Sequence, residues 1–239
     1  DLVAGQSVEK LPQRLPPPAR GERAIVAPAM TLLIGIAAVA IVAWFAAGTI
    51  WNVRKGSALM RWMQHGLPAL GERTTVRWLG STAVEMAISD ARAPFKGATL
   101  VIFLEARDLP WMWALGRGRG RRDTLIVRGV LRRAPGIELE ALDPASWSGR
   151  DALPRVPREW QARRAEVPGG LVVHHADAAA LASADDLLAL ANRAGLAVQR
   201  LSVRRSEPNF QLHVSFPDDR QGARDFFEAV RGLAERALA

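Results

Sequence analysis

His174, His175, Asp177 and His213 are the residues of this chain whose types best suit acid–base or metal chemistry. A hydrolytic or metal site would need them to converge. The two adjacent histidines lie in a strand-like run, so their rings project to opposite faces and cannot readily share one ion. No metal-ligand spacing joins either of them to His213. No serine occupies the strand-turn-helix setting of a nucleophile elbow. The absence of Cys removes disulfides, thiolate metal sites and a cysteine nucleophile. Gly116, Gly118 and Gly120 imitate a dinucleotide fingerprint, but their spacing is wrong and they neither follow a strand nor open a helix. No catalytic residue, cofactor or metal is therefore expected.

Contact chemistry is better represented. The stretch 109–122 reads LPWMWALGRGRGRR, an apolar tip of Trp111, Met112 and Trp113 followed by Arg117, Arg119, Arg121 and Arg122 between glycines. We read it as a loop. Indoles at headgroup depth with arginines on lipid phosphates are physically coherent. Trp and Arg also dominate the centres of protein interfaces, and Arg/Gly-rich segments bind nucleic acid. The bland alternative turns the tryptophans inward and leaves the arginines solvated. The nearby acids Asp108 and Asp123 are too few for four guanidinium groups, so the arginines are expected to face water, phosphate or another protein.

These residues must be positioned by a chain whose dominant feature is apolar. Residues 24–53 carry no charge, and Thr31–Ile50 is long enough to cross a hydrocarbon core of roughly 30 Å as a helix. Arg23 closes the run on one side, Arg54 and Lys55 on the other, and Trp44 and Trp51 lie toward its C-terminal end. Ala40, Ala43 and Ala47 share one helical face on which another helix can approach closely. Residues 1–29, with Pro12, Pro16, Pro17, Pro18 and Pro28, read as an extended arm.

Beyond the span, residues 54–71 are expected to form a separate amphipathic juxtamembrane helix with Arg54, Lys55, Arg61 and Trp62 available to lipid or a partner. An antiparallel sheet domain follows over 72–143. Its last hairpin joins 123–131 to 137–142 and sets Arg132 and Arg133 against Glu138 and Glu140. Residues 144–169 read as a Pro/Arg-rich linker pinned by buried Trp147 and Trp160. Residues 170–239 give β-α-β-β-α, half of a ferredoxin-like unit, with Ser183 and Asp186 capping its first helix and Asp218 or Asp219 its second. The fold class is thus membrane-anchored α+β.

The net charge of +8 lies almost wholly in the middle section, since both terminal sections are close to neutral. A basic section next to a span faces anionic headgroups most simply. The expected function is a non-enzymatic, single-pass accessory or assembly subunit of a larger membrane complex, contacting other integral membrane subunits and anionic lipid headgroups. Its oligomeric state is left open. The alternatives are a membrane-tethered nucleic-acid or nucleotide-binding regulator, nucleic acid being the less expected partner, and a membrane-bound hydrolase around Asp177, His174 and His213.

Arg54, Lys55 and Arg61 follow the span without a nearby acid, which orients the C-terminal domains toward the cytoplasm of a cell membrane. Single cysteines at Ser7 and Ser206 test this in intact cells with an impermeant thiol reagent. Labelling at residue 7 and protection at residue 206 is the expected pattern, and the reverse pattern refutes the orientation.

Overall fold

A computed structural model describes residues 20–216 and 222–239, with side chains from Ala29 onward. The first 19 residues, which hold most of the proline-rich arm, and the expected caps Asp218 and Asp219 lie outside the described residues. The chain divides into two compact units, 1–43 and 44–239. It is an α+β protein with a long N-terminal apolar helix and a large antiparallel sheet.

The helix, α1 (Arg20–Gln64), begins within the expected arm, so Pro28 lies inside it. Its portion Ala29–Gln64 is long and apolar enough to cross a membrane, with a mean hydropathy of 2.4 in a window that is wholly exposed. The expected juxtamembrane helix is not separate. Nothing between Trp51 and Gln64 breaks the backbone hydrogen bonding, and the chain turns only at Gly66, followed by a 3-10 turn, Leu67–Ala69. Gly66 is required by packing, because a Cβ there would lie 2.3 Å from the carbonyl oxygen of Ala223.

Nine strands follow: β1 (Gly71–Trp78), β2 (Ala83–Ala91), β3 (Phe95–Phe103), β4 (Thr124–Leu131), β5 (Leu139–Leu142), β6 (Gln161–Arg164), β7 (Val172–His175), β8 (Val198–Val203) and β9 (Phe210–Ser215). They form one sheet in the order β1-β2-β3-β4-β9-β8-β5-β7-β6, antiparallel at every junction. In β3, Leu100, Val101 and Ile102 are all buried, as a continuous apolar run in a covered strand requires.

The expected hairpin of 123–131 with 137–142 is corrected. β4 pairs with β3 and β9, whereas β5 pairs with β7 and β8. Glu140 is accordingly buried against Arg200, Ser202 and Arg204, while the Arg132 guanidinium donates to the carbonyls of Ala91 and Phe95. A buried carboxylate needs charged partners close by, and β8 with the residue that follows it supplies them, as Arg200 and Arg204.

Residues 144–169 hold α3 (Trp147–Ala152), a 3-10 turn at Leu153–Arg155 and the edge strand β6. α4 (Ala178–Arg193) starts earlier than expected, because the Asp177 carboxylate accepts from the Ala180 amide at 2.8 Å. Ser183 is interior to α4, and Asp186 pairs with Arg236 on α5 (Ala223–Arg236). Alternation in β9 sends Phe210, Leu212 and Val214 into the core shared with α1, α4 and α5. His213 points to the other face, against α3.

Within 170–239 only β8 and β9 pair with each other, since β5 stands between β7 and β8 and β4 covers the other edge of β9. A fragment of residues 168–239 is therefore expected to show no cooperative melt, while the full chain does. A cooperative transition in the isolated fragment would refute the dependence on β4 and β5.

Candidate functional site

The stretch read as an apolar loop is a helix, α2 (Pro110–Gly118). Its first-turn Pro needs no amide partner and its Trp, Met, Ala and Leu are tolerated or favoured in helices, a signal present in the sequence but masked by the glycines that follow. α2 has no buried residue. Trp111, Met112 and Leu115 are 52%, 48% and 61% exposed, so the helix presents an apolar face to its surroundings.

What holds α2 in place is a polar cluster joining α1, the segment after β3, α2 and the approach to β4. The Asp123 carboxylate accepts from Lys55 Nζ at 2.5 Å, from both terminal nitrogens of Arg107 at 3.0 and 2.8 Å, and from the Glu105 amide at 2.8 Å. Asn52 donates to the Glu105 carbonyl at 3.1 Å and accepts from Arg107 at 3.3 Å. The Glu105 carboxylate accepts from the Trp113 indole at 2.6 Å and from Arg117 at 3.3 Å. Higher on α1, the Trp44 indole donates to the Arg107 carbonyl at 2.9 Å.

Burial alone raises the Asp123 pKa, but hydrogen bonds from Arg107, Lys55 and the Glu105 amide outweigh it and hold the carboxyl below its ordinary 3.8. Burial likewise disfavours the Arg107 charge, and the bond and charge of Asp123 with the charge of Glu105 raise its pKa in net.

The close approach depends on small residues that the sequence reading passed over. Gly48, Asn52 and Gly56 recur every four residues along the face of α1 that meets the sheet domain. A Cβ at Gly48 would stand 2.3 Å from the Arg107 carbonyl oxygen, and one at Gly56 would stand 2.9 Å from the Trp78 ring. Ala40, Ala43 and Ala47 are exposed.

The candidate contact residues separate into two groups. Lys55, Trp113 and Arg117 belong to the polar cluster, and Arg117 also lies over the Trp113 ring at 5.7 Å. The acid missed in the sequence is Glu105, which the end of β3 brings to Arg117. Trp62 packs on Phe226 and Phe227 at centroid distances of 5.6 and 6.2 Å, so it serves the core. By contrast Arg54, Arg61, Arg119, Arg121, Arg122 and the additional Arg150 have no carboxylate at salt-bridge distance among the described residues. Arg122 donates to the Arg117 and Arg121 carbonyls, and Arg150 to those of Pro144, Ala145 and Arg119, at the negative end of the α2 dipole. Arg121 lies over the Trp147 ring at 5.2 Å. Trp147 is 44% exposed, so it does not pin a linker by burial.

The histidine constellation does not assemble. His213 is separated from β7 by β8 and β5, and three strand spacings of about 4.8 Å put it roughly 14 Å from His174 and His175. His213 instead meets Ser148, with Oγ and Nδ1 at 2.5 Å. Burial, then the charges of Arg200, Arg128 and Arg155, lower its pKa to about 3. A base so weak does not take a serine proton near neutral pH, and the adjoining space of about 20 Å³ has room for one water. Among the described residues no group of three His, Asp or Glu is placed to hold a metal.

Asp123→Asn is expected to cost about 1–3 kcal/mol, because Arg107 loses the carboxylate that offsets its partial burial, whereas the half-exposed Lys55 can turn to water. The lowered Asp123 pKa adds stability that is fully present above 3.8 and is lost as pH falls through the folded value. Melts of the detergent-solubilised chain against pH check both, with Arg119→Gln as a variant expected to melt like the wild type.

No protein-family model matches the chain, and no curated protein is significantly similar to it.

Proposed function

We propose that the chain is a non-enzymatic, single-pass accessory or assembly subunit, anchored by α1 in a cell membrane with its sheet domain on the cytoplasmic side. The observation that carries this reading is the pairing of an exposed apolar face on α2 with a cluster of guanidinium groups lacking carboxylates, both fixed beside the end of the apolar run of α1. Trp111, Met112 and Leu115 enter the headgroup region there, while Arg119, Arg121, Arg122 and Arg150 meet lipid phosphates. Arg54 and Arg61 add positive charge after the span and support the cytoplasmic assignment.

The exposed small residues Ala40, Ala43 and Ala47 support an integral membrane partner, because short side chains let a second helix approach closely. The β7-α4-β8-β9-α5 succession is read as half of a ferredoxin-like unit, in which β5 lies between two strands of common direction. That topology provides a rigid platform and does not by itself assign an activity.

Flotation of the full chain with vesicles does not isolate the surface contact, because α1 inserts. Residues 54–239 can serve as the probe once their cooperative melt has been verified. This portion is expected to bind vesicles containing phosphatidylglycerol and to be released by salt. Trp111→Ala with Leu115→Ala should weaken binding by about tenfold or more, since each buried apolar side chain contributes on the order of 1.5–3 kcal/mol. Arg119→Gln with Arg122→Gln should flatten the salt dependence. Unchanged vesicle binding in both variants refutes the lipid contact.

A further inference from the structure

Between α1 and α2 lies an open groove of about 330 Å³ lined by Trp44, Ala47, Gly48, Trp51, Arg107 and Trp113. We propose that this groove holds one hydrocarbon chain of a membrane lipid, an inference that rests on the anchored reading above. Three of its six lining residues are tryptophans, and its accessible lining is almost wholly apolar. The exception, Arg107, has its charge committed to Asp123 and Glu105. A phosphate would therefore compete with two carboxylates for that guanidinium, whereas a hydrocarbon asks nothing of it.

The size suits the same occupant. An apolar cavity of about 150 Å³ accepts a benzene-sized molecule, so this groove takes a chain segment of roughly twice that bulk. Its construction also favours a chain over a folded partner. One wall is α1 itself, continuous in sequence with the exposed apolar stretch that the anchored reading places among lipid chains. Hydrogen bonds of Trp44 to the Arg107 carbonyl and of Trp113 to Glu105 fix two of the indoles. The groove is thereby set before any occupant arrives, which reduces the ordering cost of binding. Gly48 contributes by absence, since any side chain there would strike Arg107.

The test uses the purified full chain reconstituted in vesicles of phosphatidylglycerol and phosphatidylcholine carrying a diazirine in one acyl chain. Photolysis followed by peptide mapping is expected to label the 31–43 stretch, Met112 on the outer face of α2, and Trp113 or Gly48 in the groove. Ala47→Trp fills the groove from an exposed position. It should reduce labelling at Trp113 and Gly48 by about tenfold, equivalent to about 1.4 kcal/mol, and leave labelling at Met112 unchanged. Labelling of 31–43 with none in the groove, or groove labelling indifferent to Ala47→Trp, overturns the lipid-chain site while the anchor stands. Absence of labelling at 31–43 overturns the anchor and the groove assignment with it.

Discussion

The carboxylate of Asp123 is the point on which the placement of α1 and α2 depends. Two cations from different parts of the chain, Lys55 and Arg107, converge on it, and the Glu105 amide completes its shell. Such a group is tolerable away from water only while its partners remain. The cluster therefore acts as a position sensor. If α1 slid or rotated by one residue, Lys55 and Asn52 would leave their partners, and Gly48 would be replaced at the Arg107 carbonyl by a residue with a side chain. Charge and steric exclusion specify the same register.

This explains why the sheet can be built as one body from segments far apart in sequence. The core face takes alternate residues of β2, β3, β4, β8 and β9, and α4, α5 and the later part of α1 cover it. β4 joins β9, so the first strands and the last cannot slip independently without moving their inward apolar residues to the other face. Polar groups on that other face need local solutions: Glu140 finds Arg200 and Arg204, and His213 stays uncharged beside Ser148.

Much of this was legible from pattern alone. The long uncharged run, the covered strand at Leu100 to Ile102 and the alternation from Phe210 to Val214 each reflect a local period that survives in the fold. The β8–β9 hairpin was legible too, because sequence neighbours paired. Strand partners chosen across long distances were not. Nothing local distinguishes a β4–β5 hairpin from the observed pairing, in which β4 lies between β3 and β9 and β5 lies between β7 and β8. The helical nature of α2 was hidden by Gly116, Gly118 and Gly120, which suggested a loop although Pro110 marks a helix start. Glu105 was missed as a partner of Arg117 because the eleven intervening residues must fold back before they meet. Gly48 and Gly56 carried no signal in the sequence, since their role appears only when the Arg107 carbonyl and the Trp78 ring lie against them.

The arginines show how one composition serves two tasks. Arg107, Arg200 and Arg204 meet buried or nearly buried carboxylates, and their guanidinium groups hold segments in register. Arg119, Arg121, Arg122 and Arg150 cluster at one end of the sheet without carboxylates, with Arg122 and Arg150 donating to carbonyls that carry only partial charge. Carbonyls order these side chains but do not neutralise them, so the positive potential remains available to an external anion. A carboxylate in the same place would order the group equally well and abolish that potential. The choice of carbonyl over carboxylate is thus what separates an arginine that builds the domain from one that is held ready at its surface.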